Sequence, residues 1–401
     1  MRILHVVPSY LPALRYGGPI LSVHGLCKAL VAQGHEVEVF TTSVDGPRDS
    51  DVPLGVSVNC DGVKVWYFSV PHLRRLYWCP KMTDALRRRV STFDVIHTHS
   101  VFLWPTWAAA RIARQYAIPY VIAPRGMLVG ELIRRKSRWF KTAWIEIFEK
   151  RNLAGAAVVH FTSQLEKDEA TRLGLQFRAT CVVPNGVDKE EIHNESDERD
   201  LPPWFACQHQ RYLLFIGRIN WKKGLDRLIC ALPYVPDRHL VILGNDEEGY
   251  QPTLETLARQ EGVRDRISFI GPVYGLDKRV ILKHAEALVL PSYSENFGNV
   301  VLEGMAAGCP VVVTPEVGAA DLVLEAGAGI VLDGSPEKLG RGIADLIADP
   351  ERGSTMGQRG RDAAASKYTW EAIARRMEEV YREALKGREQ LHQAARSGNR
   401  D

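Results

Sequence analysis

None of the seven cysteines (Cys27, Cys60, Cys79, Cys181, Cys207, Cys230, Cys309) falls in a Cys-x-x-Cys pair or a Cys/His ligand spacing. That scatter argues for reduced thiols in a cytosolic protein and against a structural zinc. No stretch approaches the roughly 20 apolar residues of a membrane span. The opening run, Met1-Arg2-Ile3-Leu4-His5-Val6-Val7-Pro8, is too short for a signal peptide and reads as a first strand. No Gly-x-Gly-x-x-Gly follows Val7, which removes the fingerprint of a dinucleotide-dependent oxidoreductase. The formal charge of +3 is too small to imply a nucleic-acid partner.

What is present is a globular composition, 45% hydrophobic and 25% charged, over 401 residues, more than one core usually serves. Two domains are expected. Ile3 to Val7 reads as a buried strand, and Gly17-Gly18-Pro19 precedes a helix to about Gln33. Val37-Glu38-Val39-Phe40 is the next strand, which makes a βαβ opening. Asp45 to Gly62 is turn-rich, a loop excursion or a small hairpin. Asp94-Val95-Ile96-His97-Thr98-His99 ends a strand with two histidines on one side. Ligands bind beyond the carboxyl ends of such strands, so His99 is the better functional candidate, against the alternative of a histidine satisfied by backbone. Tyr120-Val121-Ile122-Ala123 leads into Pro124-Arg125-Gly126. The segment Glu131 to Arg151 is basic and aromatic: it could lie on an anionic membrane surface, or pack its aromatics in the core with a solvated basic edge.

Residues 1–190 form the first expected domain, 191–210 a linker, and 211–370 a second domain in which strands alternate with helices again. A helix over 371–386 and a disordered tail over 387–401 complete the chain. The expected class is α/β, with two doubly wound, mostly parallel sheets.

The second half carries the chemistry. Gly217-Arg218 closes its first strand and Lys223 arrives as the next helix begins, a fork and a point charge suited to a diphosphate. Further on, Ala287-Leu288-Val289-Leu290 reads as a strand and Pro291-Ser292 as its stop. Glu295-Asn296-Phe297-Gly298-Asn299-Val300-Val301-Leu302-Glu303 then enters a helix. Helix-start amides favour phosphate or a partly negative hydroxyl. Were the interval helical, Glu295 and Glu303 would stand about 12 Å apart at about 1.5 Å per residue, too far for a retaining glycosidase pair at about 5 Å. Each carboxylate therefore has its own task; the alternative is a helix cap and a solvated face.

Gly217-Arg218 with Lys223-Gly224, and Glu295 with Glu303, resemble the signature motifs of the retaining glycosyltransferases of family 4, which have the GT-B fold. Gly17-Gly18-Pro19, Gly34-His35-Glu36-Val37, Asp94 to His99 and the Pro184-Asn185-Gly186-Val187-Asp188 turn resemble further family motifs in the same order, over most of the chain. The resemblance implies two Rossmann-like domains facing across a cleft, with the nucleotide-sugar donor held mainly by the second and the acceptor by the first. It gives Arg218 and Lys223 the departing diphosphate, Glu303 the ribose hydroxyls, and Glu295 with the Phe297, Gly298, Asn299 and Val300 backbone the transferred sugar. Gly17 and Gly18 would approach the phosphates, Val273 would meet the base, and His99 would lie near the sugar. The last helix would cross back to the first domain.

Retention by same-face attack is the expected course. No cofactor is expected beyond the nucleotide-diphosphate sugar as co-substrate, and no metal, since no Asp-x-Asp pair stands out. Pro124-Arg125-Gly126-Met127-Leu128 resembles a branch of the family that builds bacterial surface polysaccharides. That implies a glycan or lipid-linked oligosaccharide acceptor, a role for Arg125 toward acceptor or phosphate, and a cytoplasmic protein in peripheral contact with an anionic membrane. A binding protein without turnover and a GT-B epimerase or phosphorylase are the competing readings. The retained charges argue against the first. Arg218, Lys223 and the spaced glutamates argue against the epimerase, and the chain length against a phosphorylase.

Overall fold

The computed structural model describes residues 1–129, 144–192, 200–205 and 211–397. Most of the basic aromatic stretch, over 130–143, and parts of the expected linker, 193–199 and 206–210, lie outside them.

The chain divides into two units, Met1–Gly186 with Trp370–Asp401, and Val187–Thr369. In the first, eight strands lie in the order Thr180–Val182, Val158–Phe161, Tyr120–Ala123, Val95–His99, Arg2–Val6, Glu36–Thr42, Val63–Phe68, Ser57–Cys60. All neighbours run parallel except the last pair. Ser57–Cys60 is an antiparallel edge strand inside the stretch read as loop or hairpin, and Val44–Asp45 with Arg48–Asp49 forms the small hairpin itself. Helices cover both faces of a parallel sheet, so its strands are continuous apolar runs rather than alternating ones. That pattern is why they were legible.

The helix Trp370–Ser397 belongs to this unit and packs on the helix Gly18–Ala32. Trp370, Ile373, Ala374, Met377, Tyr381 and Ala384 are buried at helical spacing. The helix continues past Leu385 to Ser397 where a disordered tail was expected, through a run of good helix formers.

The second unit has six parallel strands in the order Ile267–Phe269, His239–Leu243, Tyr212–Ile216, Ala287–Leu290, Val311–Val313, Gly329–Val331. Its core is formed by residues such as Leu213, Phe215, Val241, Leu288 and Val312, all fully buried. The expected linker is in part a component of this unit. Ile192 and Phe205 are buried in its core, Lys189–Ile192 is a short helix, and Val187, from the end of the expected first domain, is buried there too. Apolar residues widely spaced in a polar stretch show no periodicity, yet they dock individually.

Candidate functional site

Strand order in the second unit reverses between Tyr212–Ile216 and Ala287–Leu290, and the crevice of an open α/β sheet lies at the carboxyl ends of such a pair. The loops that leave these two strands carry the cations and Glu295. They are stitched together: Tyr293 N–H donates to the Lys222 carbonyl at 2.8 Å, and Asn220 Oδ1 accepts from Lys222 N–H at 3.1 Å. Gly224 closes the corner at φ +66°, and a Cβ there would stand 2.0 Å from the Pro291 oxygen. Only glycine fits, because both the backbone conformation and the neighbouring carbonyl exclude a side chain.

Lys223 and Glu295 meet directly in this corner as an ion pair, with 17% and 19% of their side chains exposed. Glu295 is fixed from behind. Its N–H donates to the Glu316 carbonyl at 3.0 Å and its carbonyl accepts from Gly318 N–H at 2.9 Å. Glu295 is thus outside the helix and does not cap it. The helix is Asn299–Ala306, entered through Gly298 at φ +89°, whose carbonyl accepts from Val301 N–H at 2.9 Å. Phe297 is a core side chain that offers only backbone to a ligand. Arg218 is exposed and makes no ion pair among the described residues. Val273, partly buried, lies in the loop beyond Ile267–Phe269 on the same sheet edge.

Glu303 is neither on a free solvated face nor beside Glu295. Lys278 Nζ lies 3.0 Å from Glu303 Oε2 and 3.8 Å from Glu191 Oε1, with 14% of the lysine exposed. Burial, then the neighbouring Glu303, pushes the Glu191 carboxyl up to about 7. Burial opposes the charge on Lys278, but Glu303 and Glu191 outweigh it and raise its pKa.

In the first unit the corresponding reversal lies between Arg2–Val6 and Val95–His99. Gly17, at φ +69°, and Gly18, the first residue of its helix, sit in the loop after the former. His99 ends the latter and is not free to reach outward. Arg125 Nε donates to His99 Nδ1 at 3.3 Å, so His99 Nε2 carries the proton and donates to His5 Nδ1 at 2.9 Å. His160 Nε2 donates to the Val183 carbonyl at 2.8 Å, and His97 Nδ1 accepts from the Tyr381 hydroxyl at 2.8 Å. Burial pushes His5 and His160 down to about 3 and His97 and His99 well below the usual value, so all four are neutral at physiological pH.

Nitrogens of His5, His97 and His99 lie within 4.8 Å of one another, a spacing that could hold a metal ion. The proton that Arg125 forces onto His99 Nε2 already occupies the position a metal would take. An Asp-x-Asp triplet does occur, at Asp49-Ser50-Asp51, but Asp49 is paired with Arg74 Nη1 at 2.8 Å in the hairpin.

Arg125, at φ +55°, holds Asn185 Oδ1 at 2.9 Å besides His99 and has no carboxylate in hydrogen-bond contact among the described residues. Burial draws its pKa down, though an arginine stays cationic. Ser100 and Phe102 also have positive φ on this edge, a concentration of backbone strain common where ligands bind. The loop around Arg125 is held by Glu166, whose Oε1 accepts from Gly126 N–H at 2.6 Å. Sequence reasoning missed His5, His160, Glu166, Lys278 and Tyr381. A histidine inside a buried apolar strand was the available signal for the first two; Tyr381 had none, since 284 residues separate it from His97.

Two family models match the chain in sequence order: a glycosyl transferase 4-like domain over residues 17–186 and glycosyl transferases group 1 over residues 197–363. An uncharacterised glycosyltransferase of Methanocaldococcus jannaschii is 28% identical, over 96% of this chain and 99% of its own. The sucrose-phosphate synthase of Thermosynechococcus elongatus superposes with a TM-score of 0.75 at 22% identity, covering 96% of this chain and all of its own, 100%. The Anabaena protein HepE, solved with UDP and glucose, superposes with a TM-score of 0.73 at 20% identity, covering 95% and 99%. With both halves matched by family and the two parallel sheets matched in fold, the chain belongs to family 4 of the glycosyltransferases and has the GT-B fold.

Proposed function

We propose that the protein transfers a hexosyl group from a nucleoside-diphosphate sugar to an acceptor hydroxyl, with retention and without a metal ion, in the assembly of a bacterial polysaccharide or lipid-linked glycan. The observation that carries this reading is the corner at the strand-order reversal of the second unit. There Arg218, exposed and without an ion pair among the described residues, stands on the same loop as Lys223, and Glu295 leads into a helix start opened by Gly298. The two cations and the helix start favour a diphosphate.

In the absence of donor, Lys223 and Glu295 serve as each other's counter-ion. A diphosphate arriving at Arg218 and Lys223 competes for the ammonium and frees Glu295 to accept from a sugar hydroxyl. As the anomeric C–O bond breaks, positive charge grows on the sugar and negative charge on the leaving phosphate. Preorganised donors there are worth about 3 to 4 kcal/mol each in the transition state. The acceptor oxygen bonds to the anomeric carbon on the face that the phosphate leaves, and its proton passes to the departing phosphate oxygen. Glu303, positioned by Lys278 at 3.0 Å, takes the ribose hydroxyls. Val273 lies along the base. Arg125, which has no bonded carboxylate among the described residues, serves the acceptor or its phosphate, and it fixes the tautomer of His99.

A panel of nucleotide sugars screened by thermal shift tests the reading, since a donor raises the unfolding temperature according to its affinity. UDP-glucose, the ligand of HepE in a further structure, is the first donor to try. Stabilisation by one sugar nucleotide and by its free diphosphate is expected. A structure with the donor bound away from Arg218 and Lys223, or activity abolished by chelators, would refute it.

A further inference from the structure

The helix Trp104–Gln115 and the segment from Ile145 to Gly155, on one side of the first unit, enclose a groove of about 480 Å³. Three guanidiniums line it, those of Arg111, Arg114 and Arg151, together with the apolar faces of Trp107, Ile147 and Phe148. Ile147 is 64% exposed, an unusual place for a large aliphatic side chain beside three cations. Arg111 lies over the Trp107 ring at 5.4 Å, and among the described residues Arg114 bonds neutral partners, the Tyr120 hydroxyl at 3.0 Å and Asn152 Oδ1 at 2.8 Å.

The acids on these elements are turned away. Glu149 is buried and accepts from Phe102 N–H at 2.8 Å and Trp144 Nε1 at 3.0 Å, near enough to Arg114 to share its charge. Glu146 is paired with Lys150. Arg111 and Arg151 are left exposed and without a carboxylate among the described residues. The five-residue π-helical turn Ile145–Glu149, anchored through Glu149, sets Ile147 and Phe148 beside the cations. Turns of this type recur at functional sites.

Guanidinium forks match phosphate oxygens, and a tryptophan beside them suits the boundary between water and acyl chains. Free phosphate would use the forks but not the exposed isoleucine and two aromatic rings. We propose that this groove is a membrane-docking site that takes the phosphate headgroup of an anionic phospholipid, with its acyl chains against Trp107, Ile147 and Phe148. The inference deepens the lipid-linked acceptor reading and rests on it for its purpose. Docking is nevertheless measured without any transfer reaction, so either can fail alone.

The test is flotation of the full chain with vesicles of phosphatidylcholine alone or mixed with phosphatidylglycerol. Partition onto the mixed vesicles is expected, falling with salt as surface charges are screened. Arg111→Gln and Arg151→Gln should each weaken it about fivefold, the worth of one cation near an anionic surface. Ile147→Ser should weaken it further. Both arginines are exposed, so the variants should keep the wild-type unfolding temperature and nucleotide-sugar binding, which is read separately. Equal flotation on neutral vesicles, or undiminished flotation of the double arginine variant, would overturn the proposal. So would calorimetric binding of inorganic phosphate without any vesicle association, because the groove would then serve a free phosphate.

Discussion

Glu191→Gln should make the protein more stable at mildly alkaline pH, although Glu191 has an ion-pair partner in Lys278. The reasoning begins with a raised pKa: burial and the adjacent Glu303 lift the Glu191 carboxyl from an ordinary 4.5 to about 7 in the folded chain. Below the lower value the carboxyl is protonated folded and unfolded, and its environment costs nothing. As pH rises, the unfolded chain loses this proton first, so the folded state holds more protons and stability falls until the folded pKa is passed. At about 1.4 kcal/mol per pH unit the full loss would be about 3 kcal/mol. The Glu191 side chain is 25% exposed, and solvent reduces the expected effect to about 2 kcal/mol. Lys278 does not cancel it because the ammonium sits closer to Glu303, 3.0 Å against 3.8 Å. Chemical denaturation of both proteins from about pH 5 to about pH 8 reads the effect. The curves should coincide near the acid end, and the variant should gain at the other. Parallel pH profiles, or a variant less stable at alkaline pH, would show that the lysine pairs with both carboxylates equally and that the reasoning is wrong.

Lys223→Ala should lower turnover about a hundredfold or more while the fold survives, because one donor to the leaving group is lost; near-normal transfer would count against its role. Gly224→Ala places a methyl 2.0 Å from the Pro291 carbonyl at a left-handed φ, and should cost about 2 kcal/mol or more in urea unfolding. A neutral result would mean that the two loops are not held together. Tyr381→Phe leaves His97 Nδ1 without its donor in a fully buried site, at a cost of about 1 to 3 kcal/mol. Unchanged thermal unfolding would remove the hydroxyl from the network.

The glutamate pair shows how sequence and structure divide the information. Their spacing made both candidates and argued against a shared glycosidase role, but it paired neither with a partner. Glu295 meets Lys223 across 72 residues, and Glu303 meets a lysine that no motif singled out. His99 was legible as a strand end, whereas its tautomer depends on Arg125 from a different strand's loop. The linker expected over 191–210 is in part core for a related reason, since Ile192 and Phe205 gain their partners only in the folded second unit.

By itself the sequence determined where strands and helices form, because apolar runs, helical spacing and turn residues act over a few residues at a time. It also determined which strand ends carry cations, carboxylates and histidines. Tertiary structure alone decided which charges neutralise one another, which imidazole nitrogen holds its proton, and which arginines are left facing solvent beside apolar rings. Those outcomes depend on distance and burial, and strand order brings them about between residues far apart along the chain.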